Sequence, residues 1–132
     1  MQKFTYTRPN IYKNNGQDIE SGIAYALTGQ YKRADNIASD KSADVLNYQV
    51  KSARATVCKG ADVEKALERD KATAYIYGTQ SGIAYIMTKS EYLDFVKTFS
   101  TTTQDSAKNG GAIKTRLRYE TETMLDWLER RA

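Results

Sequence analysis

Along the chain the apolar positions change period several times, and each change marks an element. From Gln17 to Thr28, Ile19, Ile23, Ala26 and Leu27 recur at helical spacing, and Gly29 stands where a left-handed C-terminal residue belongs. Asn14, Asn15 and Gly16 just before this stretch are natural helix starters. A second amphipathic helix is predicted over Asp62 to Ala72, with Val63, Ala66 and Leu67 on one face and Asp62 at the N-cap. The β-prone runs 74–77 and 83–87, separated by Gly78-Thr79-Gln80-Ser81-Gly82, read as a hairpin. Thr88-Lys89-Ser90-Glu91 matches a capping box and launches a helix carrying Tyr92, Leu93, Phe95, Val96 and Phe99. Ile113 to Tyr119 alternates apolar and basic residues, the pattern of an edge strand with one solvated cationic face. A last helix runs from Thr121 through Met124, Leu125, Trp127 and Leu128.

The weaker stretches lie between these. Phe4 to Asn15 holds the only proline, Pro9, and reads as an irregular lead-in. Tyr31 to Ile37 suits a strand or a loop. Ala43 to Tyr48 fits a strand turning at Asn47-Tyr48 into a second strand, Gln49 to Val57, or else one bent strand ended by Lys59-Gly60. Ser100 to Gly111 reads as an exposed loop. The resulting order predicts one α/β (α+β) domain over residues 1–132, with a central mixed β-sheet flanked by helices.

Composition narrows the chemistry. The 132 residues are 40 % hydrophobic and 27 % charged, an ordinary globular balance, with no apolar run long enough to span a bilayer. No signal-peptide pattern opens the sequence, so a cytoplasmic protein with no membrane partner is expected. One cysteine, Cys58, allows no internal disulfide framework, and the absence of histidine removes histidine acid-base chemistry and ordinary zinc sites. Twenty Lys and Arg against sixteen Asp and Glu give a net charge of +4, which favours a polyanionic partner.

Within the 43–57 stretch, Gln49 and Lys51 share one strand face while Val50 points to the other. Phosphodiester hydrolysis without histidine calls for a divalent metal that activates water, and magnesium needs only a few oxygen ligands. Asp44, the Gln49 side-chain carbonyl and the Val50 backbone carbonyl could form that set, with Glu20 from the first helix holding a water or a second ion. Lys51 beside them could orient the nucleophilic water or offset negative charge. Each residue also has a plainer reading: Asp44 as a turn former, Gln49 and Lys51 as solvated strand residues, and Glu20 as a helix-surface acid. Asp40 is an alternative acid upstream.

These residues resemble the PD-(D/E)XK nuclease superfamily, in which an acid ends one strand and an acid-x-Lys triplet lies on the next, within an αβββαβ core. The run Arg33-Ala34-Asp35-Asn36 through Ser42-Ala43-Asp44 and Gln49-Val50-Lys51-Ser52 is similar to small phage and bacterial proteins of this class. The chain departs from the family pattern in having no proline before Asp44 and in carrying Gln49 for the triplet's acid. The resemblance implies a restriction-endonuclease-like fold and a Mg2+-dependent DNA endonuclease, with Mn2+ as a possible substitute. Glu20, Asp44, Gln49 and Lys51 would be catalytic, and Asp44, Gln49, Val50 and Glu20 would be metal ligands. Arg33, Lys41, Arg54, Lys108, Lys114, Arg116 and Arg118 are the candidate DNA contacts. Cutting a duplex on both strands would call for a homodimer or higher homo-oligomer. The competing readings are a non-catalytic nucleic-acid-binding domain that keeps the nuclease fold, and a small phage accessory or interaction protein.

Overall fold

The computed structural model describes residues 1–31 and 43–132. The described elements run β1 (Gln2–Thr5), α1 (Asn15–Thr28), β2 (Tyr48–Lys51), β3 (Thr56–Lys59), α2 (Val63–Arg69), β4 (Ala74–Gly78), β5 (Ile83–Thr88), α3 (Lys89–Phe99), β6 (Ser100–Gln104), β7 (Ile113–Leu117) and α4 (Glu122–Arg131). The strands form a four-stranded sheet in the order β1-β5-β4-β2 and a three-stranded sheet in the order β3-β7-β6. The larger sheet is mixed: β1, β5 and β4 are antiparallel, and β2 joins β4 in parallel. The smaller sheet is antiparallel throughout. This is the mixed α+β architecture that the hydrophobic periods predict.

The local signals act as read. The Asn14 side chain accepts the Gln17 N–H at 3.0 Å to start α1, and Gly29 at φ 78° closes it. Thr88 and Glu91 exchange both bonds of the capping box at the start of α3. Asp62 and Thr121 cap α2 and α4. The 74–78 and 83–88 strands pair as a hairpin.

The mixed sheet buries two unlike faces. On one, Ile76 and Ala84 pack with Ile19 and Ile23 of α1, with Val50 against their edge. On the other, Tyr75, Tyr77, Tyr85 and Met87 meet Tyr92, Phe95 and Phe99 of α3 and Met124 and Leu128 of α4. Helix α1 sits close because Gly78 has no side chain: a Cβ there would stand 2.5 Å from Ile19 Cγ2 and 2.8 Å from Ile23 Cδ1. Its first turn is anchored by Asp18, which is 0 % exposed. The Asp18 carboxylate accepts the Arg8 Nε at 2.8 Å and the backbone N–H groups of Ile11 and Tyr12. Burial by itself would raise the Asp18 pKa, but the Arg8 hydrogen bond and the two backbone N–H bonds outweigh it and hold the carboxyl below its ordinary value.

Four expectations change. The lead-in begins as a strand, because Gln2–Thr5 pairs along β5. The strand expected from Gln49 to Val57 breaks into β2 and β3: Arg54 takes φ 66°, Ala55 N–H turns back to the Ser52 carbonyl at 3.1 Å, and the chain passes from one sheet to the other. The stretch read as a loop from Ser100 opens as β6, since its threonines are β-branched and find a partner in β7. Strand β7, read as an edge, is the middle strand of its sheet. Its buried Thr115 and Leu117 face the core, which turns Lys114 and Arg116 outward beside Thr101 and Thr103.

Candidate functional site

The site begins with a tight reversal. Tyr48 N–H donates to the Val45 carbonyl at 2.8 Å, while the Tyr48 carbonyl accepts the N–H groups of Asp44 and Val45 at 2.9 and 3.1 Å. Leu46, at φ 51°, makes the turn between them. This reversal lays Asp44 along the outer side of β2, away from β4, and the Asp44 Oδ2 accepts the Val50 N–H at 2.9 Å. In an extended strand the N–H and C=O of one residue project from the same side. The Val50 carbonyl therefore faces the side on which Asp44 lies. The two-segment reading, a strand-like stretch turning into the segment that bears Gln49-Val50-Lys51, holds here, with the turn at Leu46-Asn47.

Strand alternation places the other members. Val50 pairs with Ile76 and packs toward α1, whereas Gln49 and Lys51 pair with Tyr75 and Tyr77 and lie on the opposite face. The half-buried Lys51 donates its Nζ to the Thr56 carbonyl at 3.0 Å. Burial lowers its pKa from the ordinary lysine value, and the charges of Asp44, then Asp70 and Cys58, pull it partly back. Asp70 in turn accepts the Tyr75 hydroxyl at 3.0 Å. The structure thus brings Asp44, Val50 and Lys51 together at one strand and keeps Gln49 between Tyr48 and Val50.

A groove of about 390 Å³ opens at the end of β2, lined by the start of α1 (Asn14, Gly16, Gln17 and Glu20) and by residues Val50 to Ala55. Glu20 enters from the α1 face and Lys51 from the other, so the two faces of the sheet meet at the strand end. The groove also receives the first turn of a 14-residue helix, whose N–H groups favour an anion. Arg54 completes the wall, and its guanidinium carbon lies 4.8 Å from the centre of the Tyr119 ring.

The remaining candidates fall elsewhere. Lys114 and Arg116 stand on the outer face of the small sheet, Lys114 within 3.6 Å of the Asp105 carboxylate and Arg116 with its Nε buried and without a hydrogen-bond partner among the described residues. Arg118 is exposed and donates its Nε to the Ser100 carbonyl at 3.3 Å, and Lys108 is exposed in the short 3-10 turn Ala107–Asn109. Arg33, Lys41 and the alternative acid Asp40 lie outside the described residues. Sequence reading did not single out Asn14, Gln17 and Ser52 as groove residues, nor Asp70 and Tyr119. Only Asn14 carried a usable signal, its place at a helix start.

Among the described residues no three of His, Cys, Asp and Glu gather closely enough to hold a metal ion. The donors at the end of β2 are all oxygens, which fits a hard cation that keeps part of its water shell. Among the described residues no helix is long and apolar enough to cross a membrane. Comparison with protein-family models, with curated proteins and with solved structures found no match to this chain.

Proposed function

We propose that this chain is a metal-dependent nuclease that hydrolyses phosphodiester bonds of DNA at the end of β2. The observation that carries the reading is the Asp44 carboxylate bonded to the Val50 N–H, on the side of the strand that the Val50 carbonyl also faces, with Lys51 next in the chain and Glu20 in the adjoining groove. Oxygen donors and a half-buried amine in this order suit the chemistry of phosphoryl transfer to water.

Asp44, the Gln49 amide oxygen and the Val50 carbonyl would hold a magnesium or manganese ion, with Glu20 reaching it through water. The ion, when bound, would supply an acidified water and neutralise charge on the phosphate. The residues of the chain do the rest. The first turn of α1 and Arg54 hold the phosphate; Lys51 orients the attacking water. Water oxygen bonds to phosphorus as the water gives up a proton, the P–O bond to the leaving sugar breaks, and the sugar oxygen takes up a proton from solvent, so that no proton is gained or lost overall. Acting on both strands of a duplex would require two copies of the chain, and the cytoplasm is the compartment in which such an enzyme would work.

A second reading, a nucleic-acid-binding domain without catalysis, draws on Gln49 standing where an acid would strengthen metal binding and on the absence of a three-acid cluster among the described residues. Nicking of supercoiled plasmid with Mg2+ or Mn2+ separates the two. The nuclease reading expects metal-dependent nicking that falls at least about 100-fold in Lys51→Ala and in Asp44→Ala. Equal nicking by both variants and the parent would sink the assignment; salt-sensitive binding with no cuts under either metal would leave the second reading.

A further inference from the structure

Among the described residues Arg54 is the one groove residue held in left-handed backbone: its φ is 66°, a conformation that disfavours an L side chain by about 1 kcal/mol. The turn around it is fixed from both sides. Ala55 N–H bonds the Ser52 carbonyl at 3.1 Å, and Leu117 N–H bonds the Ala55 carbonyl at 2.9 Å, tying the groove wall to the end of β7. Two residues further on, Tyr119 leaves the small sheet with its side chain in solvent, 70 % exposed, and the Arg54 guanidinium lies over the ring. An aromatic ring of this size left in water gives up apolar burial that a core position would supply. Here it stands against Arg54, which lines a groove together with a helix N-terminus and Lys51.

We propose that Tyr119 and Arg54 form a stacking platform for an unpaired base next to the phosphate held in the groove. The inference rests on the nucleic-acid reading above and deepens it by naming the substrate class: single-stranded DNA, or DNA with an unpaired nucleotide at the site. A ring stacked on a guanidinium offers its other face to a base, and every base has a flat face to match it. A cation beside the ring serves the adjacent phosphate. A base within a duplex has both faces covered by its neighbours, so the platform discriminates against intact duplex.

The test uses the full chain in EDTA, so that cleavage plays no part, and fluorescence anisotropy with labelled thymidine 12-mers. One oligonucleotide is intact; the other carries abasic sites on the same backbone. Tyr119→Ala should weaken binding of the intact strand about 5- to 150-fold and leave binding of the abasic strand unchanged. Tyr119→Phe, which keeps the ring, should bind as the parent does. Equal affinity of Tyr119→Ala and parent for the intact strand would overturn the platform. So would an equal loss on both strands, or a preference of the parent for duplex over single strand. If the parent binds neither oligonucleotide at low salt, the nucleic-acid reading itself falls, and the platform with it.

Discussion

The chain carries two basic regions, and they are built differently. Around the groove, Lys51 and Arg54 are held by long-range structure: α1 must seat on the sheet, the 52–55 turn must bond to β7, and Lys51 must reach the Thr56 carbonyl. On β7, Lys114 and Arg116 are displayed by strand alternation alone, on a face shared with Thr101 and Thr103. The first arrangement fixes distances between groups from different elements; the second fixes only a row of charge. Chemistry needs the first kind of order, because reacting groups must be held within fractions of an ångström. Attraction of a polyanion is served by the second. Damage to the seat of α1 should therefore separate the two regions.

The largest expected effect is at Asp18. Replacing it with alanine leaves Arg8 without its carboxylate and the Ile11 and Tyr12 N–H groups without their acceptor. Breaking a buried pair costs about 3–5 kcal/mol, and the lower end applies because the Arg8 side chain reaches water. Urea unfolding should show the loss as a lower midpoint with an unchanged slope. The same residue sets an acid limit. Its folded-state pKa lies below the ordinary value of 3.8, so its contribution is complete above about pH 4 and is lost as pH falls through the lowered value. Asp18→Asn should remove that part of the acid-induced decline while leaving the rest of the pH profile in place.

A smaller effect is expected at Gly78. Alanine there drives a Cβ into Ile19 and Ile23, and relief requires α1 to move off the sheet. Overpacking of this kind costs about 1–3 kcal/mol. Moving α1 moves Glu20 and the helix start, so plasmid nicking by Gly78→Ala should fall by more than the unfolded fraction accounts for. Its DNA affinity at low salt should fall by less than its nicking, since the helix start that holds the phosphate moves while the β7 row is untouched. Equal losses in nicking and binding would mean that the two regions are not independent.

Elements with a strong local signal were readable from sequence: the α1 caps, the capping box of α3 and the 74–88 hairpin. What failed was sheet membership. Nothing in Gln49 to Val57 announces that Arg54 takes a left-handed conformation and hands the chain to a second sheet, because positive φ at arginine has no compositional mark. The threonine run at 100–104 reads as polar and loop-like until β7 is present to pair with it. For the site, Asp44, Val50 and Lys51 follow from a turn and strand alternation, both local. Glu20 could be suggested but not placed, since its approach depends on Gly78 letting α1 down onto the sheet. Tyr119 was invisible because its surroundings come from residues 54 and 119, distant in sequence.

The smallest expected effect concerns the β7 row and tests whether it acts only as charge. Arg116 has a buried Nε without a hydrogen-bond partner among the described residues, whereas Lys114 is partly offset by Asp105 at 3.6 Å. If DNA passes over this face, Arg116→Ala should weaken binding a few-fold for every sequence and reduce the slope of log affinity against log salt by about 1. Lys114→Ala should change both by less, because the Asp105 carboxylate already engages the lysine at 3.6 Å and so draws it away from a phosphate. Nicking at saturating DNA should be unchanged in both, since neither residue lines the groove. A fall in the saturated rate with no change in salt slope would place Arg116 in the machinery of the groove, and the division between a precisely built site and a displayed row of charge would then be wrong.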